Sequence, residues 1–313
     1  MTTGHSRVPP GSALLLVEGS MSKRDSRREL PPVPEALPAS AVDAHTHLDA
    51  CGASTAEDVR AIVDRAQAAG VGRVVTVADD IGSARWAAEA STWDDRVFAA
   101  VALHPTRTKD FDDADREALE ELSRHPRVVA VGETGLDYYW DYSPPEPQQE
   151  AFRWHIDLAK RVGKPLMIHD REAHEDILRI LEEEGAPSTV VFHCFSGDAD
   201  FARRCVDAGY VLSFAGTATF RNARALHEAA RLVPAGQMLV ETDAPFLTPH
   251  PYRGRPNEPY CANYTLRALA ELRGVSVEEL VVATTETAER TFRLGEVAQN
   301  RSNQVGAGGT GSL

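Results

Sequence analysis

Six residues able to ligate a metal ion each follow a short apolar run rich in β-branched residues, and this repeated placement constrains the fold more than any other feature of the chain. His45 and His47 follow Ala41-Val42-Asp43-Ala44, and Glu133 follows Val128-Val129-Ala130-Val131-Gly132. Pro165-Leu166-Met167-Ile168 precedes His169, Val190-Val191-Phe192 precedes His193, and Met238-Leu239-Val240-Glu241-Thr242 precedes Asp243. Runs of this kind read as parallel strands. Imidazoles and carboxylates are the donors from which divalent metal sites are built. The C-terminal ends of parallel strands are where barrel enzymes keep their chemistry. The chain therefore reads as a metallohydrolase.

Between these runs lie alanine-rich, charge-laced segments such as residues 55–63, with apolar residues at helical spacing. Strands are expected at 41–47, 72–78, 97–103, 127–132, 165–169, 189–194, 210–215 and 237–242. Helices are expected at 55–69, 83–93, 113–124, 147–162, 172–184, 199–208 and 222–232. Eight strands alternating with helices over about 250 residues is the size of a single-domain α/β (β/α)₈ TIM barrel. A doubly wound open sheet is the alternative. It fits less well, because its ligands would gather near one switch point instead of coming from strands 1, 4, 5, 6 and 8.

Both ends differ in composition from this pattern. Residues 1–40 mix Gly, Ser, Pro and charge, and Leu30-Pro31-Pro32-Val33-Pro34 is a spacer unable to form helix or inner strand. They are expected to be a disordered extension, with Met21 a candidate translation start. The metallohydrolase domain is expected over 41–295, and residues 296–313 form a glycine-rich tail expected to be disordered. A net charge of −14 argues against a broad basic surface that wraps duplex DNA by counterion release. It leaves room for a nuclease, since metal ions and a few arginines neutralise one phosphate locally. The four cysteines show no Cys-x-x-Cys pairing, and reduced thiols in a cytoplasmic protein are expected. Residues 13–17 are too short an apolar run for a signal-peptide core.

The step His45-Thr46-His47 puts two imidazoles on one side of an extended chain, since side chains alternate with period two. Alone, such a step is equally well explained by surface histidines; beside four further strand-end ligands it reads as metal-binding. Glu133 lies in Gly132-Glu133-Thr134-Gly135-Leu136-Asp137, where glycines permit close backbone approach. Its carboxylate can bridge two metals through separate oxygens. Asp137 reads as a turn former in preference to a ligand's partner. His169 and His193 would each supply an imidazole to a second metal. Asp243 would combine ligation with general-base duty toward water. Glu241 is either an orienting partner or a paired structural acid. His104 ends the third strand, facing substrate, and Arg171 suits a bidentate phosphate grip. Arg253, Arg255, Asn257 and Glu258 sit in a proline-punctuated loop, where plain loop residues are the simplest reading. His125, His155, His174, His227 and His250 lack the strand-end placement and read as residues without a role. No phosphate-cradling glycine loop is present, so no nucleotide cofactor is expected.

Taken together, Asp43-Ala44-His45-Thr46-His47-Leu48, Leu103-His104-Pro105, Gly132-Glu133-Thr134-Gly135-Leu136-Asp137-Tyr138-Tyr139, Ile168-His169-Asp170-Arg171, His193-Cys194-Phe195-Ser196-Gly197 and Glu241-Thr242-Asp243-Ala244-Pro245-Phe246-Leu247 resemble the TatD-type metal-dependent deoxyribonucleases. The order and spacing hold from about residue 41 to 295. The resemblance implies an amidohydrolase-type barrel with two divalent cations (Mg, Mn, Zn or Co) that hydrolyses phosphodiester bonds in DNA. It implies that His45, His47, Glu133 and Asp243 hold one cation and that Glu133, His169 and His193 hold the other. Thr134 and Asp170 depart from the residues common at their positions, which bears on substrate fit and not on ligation. A monomer acting exonucleolytically on single-stranded DNA is expected. The alternatives are a hydrolase of a small phosphoester, lactone or amide on the same scaffold, and a catalytically idle binding protein.

Overall fold

The structure is a computed structural model, and it describes residues 29–297. Eight strands form one sheet: β1 (Ala41–Thr46), β2 (Val71–Val77), β3 (Val97–Val101), β4 (Val128–Asp137), β5 (Leu166–Arg171), β6 (Val190–Phe192), β7 (Val211–Phe214) and β8 (Met238–Val240). Their order in the sheet is their order in the chain, and every neighbouring pair is parallel. The seam between the first and last strands is closed beyond β8. There Asp243 N–H donates to the His45 carbonyl at 2.9 Å and His47 N–H donates to the Ala244 carbonyl at 2.8 Å. The sheet is thus a parallel barrel, as the strand pattern predicts.

Helices α1 (Ala56–Ala68), α2 (Ile81–Ala90), α3 (Asp113–Ser123), α4 (Pro145–Val162), α5 (His174–Glu184), α6 (Ala199–Asp207) and α7 (Arg224–Leu232) alternate with the strands, and α8 (Ala262–Arg273) and α9 (Val277–Phe292) follow β8. Side-chain caps define several starts. Thr55 and Asp58 form a reciprocal box on α1, Ser276 and Glu279 do the same on α9, and Asp198 caps α6. Gly163 and Gly274 end α4 and α8 in the left-handed conformation that a Cβ disfavours. None of the described helices is long and apolar enough to cross a membrane.

Two large cores and a smaller cluster around Leu48, Val63 and Val97 hold the layers. Phe152, Ile156, Leu166, Phe192 and Phe214 pack between sheet and helices. Val42, Phe98, Met167 and Leu239 come from β1, β3, β5 and β8 yet pack in one cluster, a contact that only a closed barrel interior permits. Phe292 of α9 joins that cluster. Thr285 and Thr287 donate to the carbonyls of Ser40 and Ala235, just ahead of β1 and β8, so α9 covers the N-terminal end of the barrel. The opposite end is left open for the site.

Three expectations need correction. Residues 31–40 pack on the barrel and are not a detached extension: Tyr260 and Tyr264 donate hydroxyls to the Pro31 and Pro32 carbonyls, and Asn263 donates to Glu35 O at 2.9 Å. A proline run forms no ladder of its own, so its carbonyls stay free to accept from α8 and the turn before it. β4 runs through to Asp137, so Glu133 lies inside the strand, where the ladder is irregular between Val131 and Thr134. β8 stops at Val240, three residues before Asp243. The proposed start at Met21 and the tail from residue 298 lie outside the described residues.

The glycines flanking Glu133 are required by contact. A Cβ on Gly132 would stand 2.4 Å from Met167 Cβ, and one on Gly135, at φ 138°, would stand 2.1 Å from the His169 carbonyl oxygen. Gly163 has a positive φ too, but open space around it. Gly135→Ala should therefore lower unfolding stability by about 3 kcal/mol or more, and Gly163→Ala by only about 1 kcal/mol, measured by denaturant unfolding.

Candidate metal centre

At the open end of the barrel, four imidazoles and two carboxylates converge. Glu133 divides them. Its Oε1 lies 3.8 Å from His45 Nε2 and 3.6 Å from His47 Nε2; its Oε2 lies 3.3 Å from His169 Nδ1 and 2.8 Å from His193 Nε2. Asp243 Oδ1 completes the first group, 3.6 Å from His45 Nε2 and 3.4 Å from His47 Nε2. All six strand-end residues singled out from the sequence are thus in one cluster, with the glutamate between its halves.

The outward nitrogen of each histidine decides what the inward one can do. His47 Nδ1 donates to the Val77 carbonyl at 2.9 Å, His169 Nε2 to Asp137 Oδ2 at 3.0 Å, and His193 Nδ1 to Glu241 Oε1 at 3.2 Å. His45 Nδ1 faces the Met167 sulfur at 3.2 Å. Carbonyls, carboxylates and thioethers only accept, so the proton of each neutral ring sits outward and a lone pair points inward. The inward nitrogens approach one another, 3.2 Å for His45 and His47 and 3.3 Å for His169 and His193. Two lone pairs at that distance repel unless a cation lies between them.

The donor set fits a divalent metal. Ligand bonds of about 2.0–2.2 Å at tetrahedral angles place neighbouring donors about 3.3–3.6 Å apart, close to the spacings found here. Glu133 Oε2 is also buried without a hydrogen-bond partner. An orphaned buried acceptor costs about 1–3 kcal/mol, and more when charged, which a bound cation would relieve. Burial opposes the charge on Glu133, but the His193 and His45 rings outweigh it and hold its carboxyl well below the usual range. Burial likewise opposes protonation of His47, yet Asp243 and Glu133 draw its pKa up to about 10. Without metal these carboxylates attract protons onto His47, His169 and His193, while burial and the neighbouring His193 keep His45 neutral; a cation would take the protons' place.

The surrounding residues settle several open readings. Asp137 does both jobs considered for it: Oδ1 accepts from the Tyr139 and Trp140 amides in a turn, and Oδ2 holds His169. Glu241 is fully buried and orients His193, also accepting from Cys194 N–H at 2.9 Å. Asp43 accepts from the amide and hydroxyl of Thr242, tying β1 to the segment that carries Asp243. Asn257 donates to the Thr242 and Phe246 carbonyls, and Glu258 pairs with Arg65, so both serve the loop and not the pocket. Arg253 and Arg255 lie over Phe220 and Tyr252. His155 accepts from Leu103 N–H and His227 donates to Ala218 O, structural roles where none was expected. The four cysteines are free, and burial pushes the Cys194 thiol well up, which makes it a poor nucleophile.

Asp79 was not singled out from the sequence, although it too follows an apolar strand and the same placement rule would find it. Its Oδ1 lies 3.6 Å from His47 Nδ1, it groups with His47 and Glu133, and burial lifts its pKa to about 6. His104 and Arg171 line the same pocket of about 700 Å³ as the ligands. His104 Nδ1 accepts from Thr106 N–H, and burial and the nearby His169 charge depress its pKa to about 3, so the ring is neutral with Nε2–H available. Arg171 stands at the rim with its guanidinium 4.0 Å above the Tyr139 ring.

Comparison with known proteins supplies a second line. The family model described as TatD related DNase matches residues 42–293. An uncharacterized metal-dependent hydrolase, TatD, of Mycobacterium tuberculosis is 61% identical over 263 residues, spanning 82% of this chain and 100% of that one. YabD of Bacillus subtilis, described in the same words, is 44% identical over 253 residues, spanning 80% and 98%. The crystal structure of YjjV, a TatD homologue from Escherichia coli, superposes with a TM-score of 0.76 at 31% identity, covering 81% of this chain and 98% of that one.

Because the outward contacts fix the rings, Glu241→Gln and Asp137→Asn should each weaken divalent-cation binding about 10- to 100-fold in a chelator competition. Saturating cation should raise the Tm of the wild-type protein, and raise that of Glu133→Gln much less.

Proposed function

This chain belongs to the TatD family of metal-dependent hydrolases, and on that footing we propose that it is a deoxyribonuclease that removes nucleotides from the ends of single-stranded DNA. The observation that carries the reading is Glu133. Its two oxygens face separate imidazole groups, which supports two cations held side by side, one by His45, His47, Glu133 and Asp243 and the other by Glu133, His169 and His193. Two divalent cations there (Mg, Mn, Zn or Co suit the mixed donors) would acidify water and oppose charge developing on a phosphoryl group.

The chain's own residues divide the remaining work. Asp243 has the more exposed of the two inward carboxylates, 13% against 4% for Glu133, so it can meet the attacking water and accept its proton. Arg171 reaches over the pocket from the end of β5 and is suited to grip the phosphate with two N–H groups. His104, neutral and with a free Nε2–H, donates to a phosphate oxygen without a change in its own charge. The ligands lie at the bottom of the pocket, with His45 fully buried. A splayed single strand reaches such a floor more readily than a duplex does, which supports action at strand ends. The acidic surface agrees, since it gives a duplex little electrostatic hold.

The test is nucleotide release from end-labelled single-stranded DNA by protein stripped of metal and refilled with Mg or Mn. Release should depend on metal, should fall by about 10²- to 10⁴-fold in Asp243→Asn, and should be lost in Glu133→Ala. Linear single strands should be cut faster than covalently closed circles. No release with any metal, from protein that still binds two cations, would move the substrate to a small phosphoester, lactone or amide.

A further inference from the structure

Among the described residues, the exposed Phe, Tyr and Trp side chains are Tyr139, Trp140, Tyr142 and Phe246; the last three line one opening, and Tyr139 lies under Arg171 at its rim. Phe246 borders the metal pocket in edge contact with His47, and Trp140 and Tyr142 border the same pocket. Trp140 and Tyr142 are stacked, with centroids 5.6 Å apart and planes 21° from parallel, and Arg171 covers Tyr139 and Trp140. Large aromatic faces left in water at one place, and nowhere else on the described surface, mark a surface that something covers.

Beyond Tyr142 lies a second recess of about 440 Å³, bounded by Thr106, Arg107, Lys109, Asp110 and Tyr142. Thr106, Arg107 and Tyr142 also border the metal pocket, so the two recesses share a wall. The outer recess presents two cations against one carboxylate. Neither Arg107 nor Lys109 is in an ion pair among the described residues. By contrast Arg116, Arg153, Arg161, Arg179 and Arg204, on the outer helices, are each paired with an acid.

The walls are held rigidly. Thr108 Oγ1 donates to the Pro105 carbonyl at 2.9 Å and lies 2.8 Å from Ser143 Oγ, joining the loop after β3 to the loop after β4. Gln148 is buried, donates to the carbonyls of Asp137 and Ser143, and accepts from Asp137 N–H. The aromatic faces are therefore preorganised, and a ligand need not pay to order them.

We infer that this outer recess is a second nucleotide subsite: the nucleotide next to the scissile phosphodiester stacks its base on the Trp140–Tyr142 pair, and its far phosphate lies against Arg107 and Lys109. A stacked aromatic ledge followed by unpaired cations is the pattern that binds single strands without regard to sequence, because every base has a π-face and every nucleotide a phosphate. The subsite rests on the nuclease reading for its scissile bond, but not for its binding.

The two are separated by measuring binding in a background that cannot cut. A fluorescein-labelled octathymidylate is titrated into Glu133→Ala protein with and without Tyr142→Ala or Lys109→Ala, followed by anisotropy. Tyr142→Ala should weaken binding about tenfold. Lys109→Ala should lower the slope of log affinity against log salt by about 0.7, which loss of a merely structural lysine would not do. In the metal-loaded enzyme with Glu133 intact, Tyr142→Ala should raise KM for the oligonucleotide with little change in kcat. If the protein releases nucleotides but neither substitution changes binding, salt slope or KM, the subsite is overturned and the nuclease reading stands. If both substitutions weaken binding but the intact enzyme releases no nucleotide, the subsite stands and the nuclease reading falls. If the Glu133→Ala protein binds no oligonucleotide, the subsite is overturned.

Discussion

The geometry of the site depends on one carboxylate. Glu133 is buried among four imidazoles, and its two oxygens look in opposite directions at two pairs of rings. Each ring is in turn held by an acceptor on its far side, so its lone pair faces the glutamate. Placing so many donors together in a barrel interior, where polar groups are costly, makes sense only if a positive charge neutralises them. The cluster is destabilising as protein and stabilising as a ligand set.

Much of the barrel's local irregularity serves that carboxylate. β4 and β5 approach so closely on either side of Glu133 that only glycine fits at 132 and 135. The ladder is interrupted between Val131 and Thr134, which lets the glutamate turn inward from a strand otherwise packed on apolar neighbours. Across the barrel, β8 ends early, and the chain beyond it is held to β1 by Asp43 and by backbone bonds to His45 and His47. Asp243 adopts a φ of 52° there, an uncommon conformation for a residue with a side chain. Local strain is accepted where it aims a side chain into the cluster.

The molecule carries a net charge of −14. Its arginines are used in two ways. Those on the outer helices are neutralised by neighbouring acids, whereas Arg171 is presented on an aromatic ring at the mouth. Ring faces and a few cations at short range can hold a single strand without the long-range field that duplex binding needs.

The sequence alone determined the strand count, the barrel and the identity of the strand-end donors. Strand pattern is a local property of alternating apolar runs and helical spacing, and each candidate ligand follows its own run, so the placement of His45, His47, Glu133, His169, His193 and Asp243 was legible residue by residue. The ends of strands were less so: β4 continued through Asp137 and β8 stopped short of Asp243, because ladder bonds to neighbouring strands set those limits. Residues 31–40 read as detached because a proline run has no internal bonds, yet α8 and the turn before it supply the donors that pin it. Only the tertiary structure decided that Asp137 and Glu241 orient rings, and that Tyr142, Arg107 and Lys109 share a recess. These are relations between residues distant in the chain, and no local pattern encodes which side chains a closed barrel will bring within hydrogen-bond reach.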